Sequence, residues 1–292
     1  MKKFLPEGML ADSDALPGGN QELIYAMKNA RILQGRALMC TRDRDLVVAA
    51  LGRELTIPRG ETAIGADTGD VKDIAVLTRV GKHVSFMITG LDKAPDGSLI
   101  PRISRRAAQK AALEHLMTGV TAGDVLPAVV THLESFGAFV DIGCGITSLV
   151  GIENISVARI GHPSARFAPG QRINVLVTGI DTDLDRVHLS HKELLGTWAE
   201  NAELFRPGDT VAGIVRGVKD YGIFIELTPN LSGLAEWREG LVPGQRVSVY
   251  IKSIIPEKRK VKLALIDTLP PESGPAPLRY FISSGHIDSW SY

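Results

Sequence analysis

Ser135-Phe136-Gly137-Ala138-Phe139-Val140-Asp141-Ile142 recurs 85 positions later as Asp220-Tyr221-Gly222-Ile223-Phe224-Ile225-Glu226-Leu227. Each copy sets two aromatics three apart in a segment rich in β-branched residues, with a glycine directly after the first. Such segments read as strands. Strict alternation puts residues i and i+3 on opposite faces of a sheet. The glycine is therefore informative, because it permits a bulge or sharp coil that turns both rings toward one surface. Two neighbouring rings on a sheet face make a platform on which unpaired bases stack. The plainer reading of one copy, with one ring in the core and the other incidental, loses ground once the pattern repeats.

The register extends outward from this stretch. Gly123-Asp124-Val125 aligns with Gly208-Asp209-Thr210 at the same offset of 85, whereas Pro169-Gly170-Gln171-Arg172 recurs as Pro243-Gly244-Gln245-Arg246 at 74, as does Leu189 with Leu263. The fall of eleven shortens one connection. The middle unit spends Ser156 to Ala168 there, the last only Trp237 to Val242. A first unit fits loosely upstream, with Val80-Gly81-Lys82-His83-Val84 standing where Pro169 to Ile173 stand. Its expected strands are Ile32 to Cys40, Leu46 to Leu51, Leu55 to Ile57, Ile74 to Leu77, His83 to Thr89 and Leu99 to Ser104. A short amphipathic helix from Gln21 to Lys28 precedes it. An alanine-rich helix from Arg106 to Met117 follows, with Ala107, Ala111, Leu113 and Leu116 expected inward. Units of about five short strands describe small antiparallel barrels, and five-stranded, partly open Greek-key barrels are OB-folds. The expected fold is all-β, three tandem five-stranded OB-fold barrels with short connecting helices. The expected divisions are a leader with a short helix at 1–29, barrels at 30–118, 119–204 and 205–268, and a tail at 269–292.

Bulk properties bound the function. A chain of 292 residues exceeds what one hydrophobic core serves. Apolar content of 44% and mean hydropathy of +0.07 are those of a soluble protein. No apolar run approaches the roughly 20 residues of a membrane span. Positive charge opens the N-terminus, but Pro6 and Asp12 interrupt it before an apolar segment forms, so residues 1–19 read as a mobile leader rather than a signal peptide. Cys40 and Cys144 are too few for a disulfide framework and lack metal-ligand spacing, which points to a cytoplasmic protein with free thiols. Formal net charge is zero, without the basic excess of most polyanion binders. The distribution is uneven: Asp124 to Glu200 is acidic on balance and Lys252 to Lys262 is basic. No phosphate-loop or dinucleotide fingerprint is present. His188 and His191 have no third ligand near in sequence, and nothing marks Cys144 as a nucleophile. No enzyme, cofactor or metal is expected.

These residues resemble the S1-type RNA-binding domain, the OB-fold repeat named after a protein of the bacterial small ribosomal subunit. Four features in order carry the resemblance: an opening Gly-Asp-Val, the aromatic strand, Pro-Gly-Gln before the fourth strand, and a closing Leu-Ser-x-Lys. The middle unit has all four, ending in Leu189-Ser190-His191-Lys192. The last unit adds Gly233-Leu234 and Pro243 to Val247, and the likeness is clear over residues 120–267 and partial over 30–106. In such domains the RNA surface comprises two aromatics on the second strand, a histidine on the third, and an acidic and a basic residue around the last turn. The resemblance implies Phe136 and Phe139 with Asp181 and Arg186 in the middle unit, and Tyr221 and Phe224 in the last. The histidine position falls on Gly151 and on Glu236, which puts base-specific contacts in doubt.

In the last unit Pro256 replaces the acidic residue, and Lys258, Arg259, Lys260 and Lys262 make the turn basic. Alternation points both lysines of Lys260-Val261-Lys262-Leu263 outward. The first unit has Leu46-Val47-Val48-Ala49-Ala50 at its second strand and no platform, so a scaffold role is expected there, with Arg102, Arg105 and Arg106 as candidate phosphate contacts. Trp198 is expected between the middle and last barrels, while for Trp237 a buried and an exposed ring both stay open, the shortened connection beside it leaving room for the second. Pro270 to Pro275 read as a linker. The segments Arg279 to Ile282 and Ile287 to Tyr292 are too apolar for a disordered end.

The expected function is non-enzymatic binding of single-stranded RNA, with mRNA or the small ribosomal subunit as the partner the resemblance implies and no membrane. Two alternatives stay open: an adaptor whose barrels bind proteins, and an accessory subunit of an RNA-processing or transcription complex.

Overall fold

Fifteen strands in three groups of five make up a computed structural model that describes residues 4–10, 19–271 and 277–292. The first group is β1 (Leu33–Cys40), β2 (Leu46–Ala50), β3 (Arg53–Ile57), β4 (His83–Lys93) and β5 (Leu99–Ser104). The second is β6 (Val125–Glu134), β7 (Gly137–Asp141), β8 (Thr147–Gly151), β9 (Arg172–Asp181) and β10 (Arg186–Ser190). The third is β11 (Thr210–Lys219), β12 (Gly222–Thr228), β13 (Leu231–Ala235), β14 (Arg246–Ile255) and β15 (Lys260–Thr268). In every group the first strand pairs antiparallel with the second and the fourth, and the fourth with the fifth. A parallel bridge between third and fifth strands then closes the middle and last barrels, at Leu189 with Val150 and at Leu234 with Lys262. The first group lacks that bridge and stays a five-stranded sheet of order β3-β2-β1-β4-β5. The all-β expectation of three tandem OB-type units is met, two closed and one nearly closed.

Alternation builds the cores. Ile173, Val175 and Val177 of β9 turn inward on Val130, Val140 and Val150 of the neighbouring strands. Val247, Val249 and Ile251 of β14 do the same against Ile223 and Ile225. Each first strand carries a register shift, at Ala37/Met39, Val130/His132 and Val215/Gly217. Such bulges add the coiling that a short sheet needs to close on itself.

The expected strand at Ile74 to Leu77 is instead helix α2 (Asp73–Leu77), after the N-terminal helix α1 (Asn20–Lys28). The segment pairs with none of the five strands and buries only Val76, one residue in a turn of helix. Helix α3 (Arg105–Thr118) begins at Ser104, whose hydroxyl accepts from Ala107 N at 2.9 Å. Its buried stripe is Arg105, Ala108, Gln109, Ala112 and Leu116, rotated from the expected Ala107, Ala111, Leu113 and Leu116. The rotation follows from Arg105, which is buried because Glu7 pairs with it at 2.7 and 3.0 Å.

Glu7 belongs to the segment expected to be a mobile leader. Over residues 4–10 that expectation is corrected, while residues 1–3 and 11–18 lie outside the described residues. Phe4 stacks on His115 at 4.9 Å, Leu5 O accepts from Cys144 N, and Glu7 N donates to Asp141 Oδ2 at 2.7 Å. Polar pairing inside an apolar setting holds the strap between the first and middle barrels.

Between the middle and last barrels, Asn230 accepts from Val157 N and donates to Lys192 O and Gly196 O. Arg166 and Arg216 share the buried carboxylate of Glu226 at 2.5 and 2.6 Å. Trp198, which opens helix α4 (Trp198–Ala202), is buried in the last barrel's core beside this junction. The linker expected over Pro270 to Pro275 falls largely outside the described residues. Beyond it the chain returns to the middle barrel, where Val125 N donates to Gly285 O and Ile287 N to Gly123 O.

Candidate nucleic-acid interface

The quoted stretch begins in a turn, not in a strand. Ser135 and Phe136 form the β6–β7 turn and β7 starts at Gly137; Asp220 and Tyr221 do the same before β12. The turn, rather than a bulge at the glycine, removes the alternation conflict. Phe136 meets Phe139 edge-to-face at 6.0 Å and 85°, and Tyr221 meets Phe224 at 6.1 Å and 90°. Phe136 is 53% exposed and Tyr221 70%. The glycines serve close approach: a Cβ at Gly137 would lie 2.5 Å from Val150 O, and one at Gly222 2.6 Å from Ala235 O. The bulge lies on the partner strand, opposite Phe139 and opposite Phe224.

A groove starts at Phe139 in the middle barrel and at both rings of the pair in the last. The middle one, about 740 Å³, runs from Phe139 past Leu149 and Ser148 to Arg186 and His188. The last one, about 520 Å³, runs from Tyr221 and Phe224 past Leu234 to Lys252, Arg259, Lys260 and Lys262. Register explains the match. Phe139 pairs with Leu149 as Phe224 pairs with Leu234, and Leu189 bridges to Val150 as Leu263 bridges to Ala235. His188 therefore occupies the position of Lys262.

Charge separates the two grooves. The last is lined by four cations, Lys252, Arg259, Lys260 and Lys262, against one carboxylate, Glu236, a net of +3. The middle one sets Arg186 against Glu153. Lys260 and Lys262 are exposed while Val261 and Leu263 are buried, as alternation requires. Arg259 turns the hairpin with a φ of 47°. Lys252 Nζ reaches Glu236 at 2.8 Å, and that hydrogen bond and charge hold the exposed Glu236 carboxyl below its ordinary range.

Three sequence-predicted residues lie off the grooves. Phe136 stands in the β6–β7 turn, outside the lining of the middle groove. Asp181 stands opposite Arg186 in the β9–β10 hairpin, and its Oδ1 accepts from Asp183 N and Leu184 N. It closes the turn and leaves Arg186 to face the groove. Lys258 ends the single-turn helix Pro256–Lys258, exposed but beside the groove rather than in it. The histidine position of the third strand does fall on groove residues, Gly151 and Glu236.

Three further residues were missed by sequence reasoning. His188 brings an imidazole into the middle groove from the fifth strand rather than the third. The match of Leu189 to Leu263 already carried that signal, since it sets His188 against Lys262. Lys252 follows from alternation along β14. His132, stacked on Phe139 with centroids 4.3 Å apart and planes 10° from parallel, depends on the bulge and left no mark in the sequence.

The first unit offers no ring on β2. Of its three candidate phosphate contacts, only Arg102 is exposed, 3.7 Å from Asp92. Arg105 is buried against Glu7, and Arg106 is held by Glu61 and Asp67, so both are corrected to structural roles. Trp237 is 54% exposed, the second of the two arrangements left open.

Burial pushes the Cys144 thiol up to about 12, which leaves no thiolate at neutral pH. His191 is buried against Ile155 O, and no group of three or more metal-ligating side chains occurs among the described residues. No helix there is long and apolar enough to cross a membrane.

The described residues thus form tandem OB-type units, two of them closed barrels that set paired aromatics beside a groove. The family described as S1 RNA binding domain matches residues 120–192, the middle barrel. Over most of its length the chain is similar to small ribosomal subunit protein bS1. The Staphylococcus aureus protein is 29% identical over 290 residues, which cover 92% of this chain and 69% of that one. The Staphylococcus saprophyticus protein is 30% identical over 206 residues, 66% and 52% of the two chains. A solved multidomain protein with nucleic acid binding domains from Streptococcus pneumoniae covers 81% of this chain and 73% of its own at 18% identity. Its TM-score of 0.27 is too low to carry an inference.

Proposed function

We propose that this chain binds single-stranded RNA without catalysis, in the cytoplasm, and acts in translation on mRNA at the small ribosomal subunit. One observation carries the reading: two closed barrels each hold an exposed edge-to-face aromatic pair beside a groove, and one groove bears a net charge of +3. Exposed rings stack on bases at about 1–3 kcal/mol per base. Cations on the groove floor neutralise phosphates and release counterions. The match of the middle barrel to the S1 RNA binding domain and the likeness to bS1 support the RNA and ribosomal parts of the proposal.

Phe136, Phe139 and Arg186 in the middle barrel, with Tyr221, Phe224, Arg259, Lys260 and Lys262 in the last, are the proposed RNA contacts. Asp181 and Lys258 act indirectly, through the turns they close. The test is fluorescence anisotropy with single-stranded RNA, single-stranded DNA and duplex RNA over a salt series. Binding of single strands that weakens as salt rises is expected. Absence of binding at low salt would overturn the proposal.

The adaptor reading finds support in the first unit. It has no ring platform, and it exposes Leu38, Met39 and Val80 where the backbone of Ala37 pairs with Lys82 and Gly81. Co-sedimentation with ribosomes that persists after both ring pairs are replaced by alanine would favour it.

A further inference from the structure

We infer that residue 132 in the middle barrel and residue 217 in the last decide which barrel takes RNA on its ring, because His132 already fills the stacking face that Gly217 leaves open. The inference rests on the RNA-binding reading above and assigns these two positions a role in it.

The two positions are equivalent by register. His132 is the partner of Phe139 across the β6–β7 ladder, directly after the bulge that begins at Val130. Gly217 is the partner of Phe224 across β11–β12, directly after the bulge that begins at Val215. A residue at this point of a bulge is aimed over the ring of its partner. In the middle barrel the imidazole lies 4.3 Å from the Phe139 ring with planes 10° apart, the offset-parallel arrangement a base would take. It is also tethered. Thr131 Oγ1 donates to Phe139 O at 3.0 Å and lies 3.2 Å from His132 Nδ1, so the hydroxyl accepts from an Nδ1–H while its own proton goes to the carbonyl. His132 is thus an exposed side chain held in a fixed stacked position.

In the last barrel no ring among the described residues stacks on Phe224, whose one aromatic contact is the edge-to-face one with Tyr221. A Cβ built on Gly217 would meet only Phe224 Cδ2, at 3.9 Å, an ordinary contact. Gly217 has no positive φ, so a side chain there is not strained. Phe224 is 37% exposed. The bare ring also borders the groove with the net positive charge. A single strand entering the last barrel finds ring face and phosphate partners together. In the middle barrel a base that stacks on the covered face of Phe139 must displace the imidazole first, and the adjoining groove, lined by Arg186 and Glu153, offers no net positive charge in return. His132 acts there as a built-in competitor for one base.

Reciprocal substitutions in the full chain test this, with a fluorescein-labelled oligouridylate of about a dozen nucleotides as probe, within the span of one or two OB-folds. With the last barrel silenced by Tyr221→Ala and Phe224→Ala, His132→Ala is expected to tighten binding about five-fold, the lower end of what one stacked base is worth. With the middle barrel silenced by Phe136→Ala and Phe139→Ala, Gly217→His is expected to weaken binding by a similar factor. Weaker or unchanged binding by His132→Ala would overturn the inference, since an imidazole that extended the platform would be missed. Should His132→Ala fail to fold, Gly217→His decides alone: unchanged or tighter binding overturns the inference. Failure of the unsubstituted chain to bind the probe at low salt would instead overturn the RNA-binding reading itself.

Discussion

Acid should loosen the middle barrel through His191 before most carboxylates titrate. The ring is fully buried. Its Nδ1 lies 2.7 Å from Ile155 O and its Nε2 lies 3.0 Å from Tyr280 Oη, which also accepts from Asn174 N at 3.2 Å. Nδ1 therefore carries the proton and donates, and Nε2 accepts from the tyrosine. A second proton, on Nε2, would face a hydroxyl already oriented toward it. Burial first, and the nearby Arg166 charge as well, push the His191 pKa down to about 4, against the pull of the Ile155 carbonyl. A histidine whose folded pKa lies below its unfolded value of about 6.5 stabilises the fold above the unfolded pKa and loses that contribution as pH falls toward the folded one. Between pH 7 and pH 5 the loss is about 2 kcal/mol, because the slope approaches about 1.4 kcal/mol per pH unit once the unfolded histidine is charged. Hydrogen exchange of β9 and β10 amides across that interval measures it locally, which a three-barrel chain requires. His191→Asn keeps a donor for Ile155 O and removes the titration. It should lower stability at pH 7 and flatten the pH dependence. Equal slopes for the two proteins would refute the assignment of His191 as a buried neutral group.

Other outcomes follow from the same geometry. Lys260→Ala with Lys262→Ala should reduce the salt slope of single-strand binding by about 0.7 for each phosphate no longer neutralised, read from anisotropy at several ionic strengths. Arg105→Met leaves the buried Glu7 carboxylate with Ser85 N at 3.0 Å and the more distant Arg79 at 3.8 Å, and should cost about 3 kcal/mol, the lower end for a broken buried pair, in urea unfolding of the first and middle barrels. Asp141 accepts from Glu7 N, Gly143 N and Gly145 N, while burial and the Glu7 charge push it up to about 7. Asp141→Asn turns one acceptor into a donor facing an N–H, and should release residues 4–10 at a cost of about 1–3 kcal/mol, seen as faster exchange at Cys144 N. Gly137→Ala sets a methyl against Val150 O and should destabilise the middle barrel, measured by its melting temperature.

Fold and site were legible to different depths. The offset of 85 and the Pro-Gly-Gln repeat located two barrels, because a strand's neighbours are written in its alternation and its turns. Ile74 to Leu77 misled, since a short apolar run fits a buried strand and a turn of helix equally well by periodicity. Buried charge was the other blind spot. Arg105 and Glu7 are 98 residues apart, and neither reads as a core residue without the other. At the site, the ring pairs and the outward lysines followed from local pattern. His132 did not, because a one-residue bulge decides which way it points, and bulges leave no reliable trace in a single sequence.

Asn230, Glu226 and the returning tail couple the middle and last barrels by more than the chain between them. Tyr292 Oη donates to Asn230 O at 2.7 Å, and Phe281 N to Leu194 O, so the C-terminal segment crosses the same seam. Two sites held in fixed relation spend little orientational entropy on the second encounter with one strand. The seam then sets an effective local concentration in place of a linker length. Loosening it, for instance by Asn230→Ala, would lower avidity for long RNA while leaving affinity for a short oligonucleotide in either groove intact.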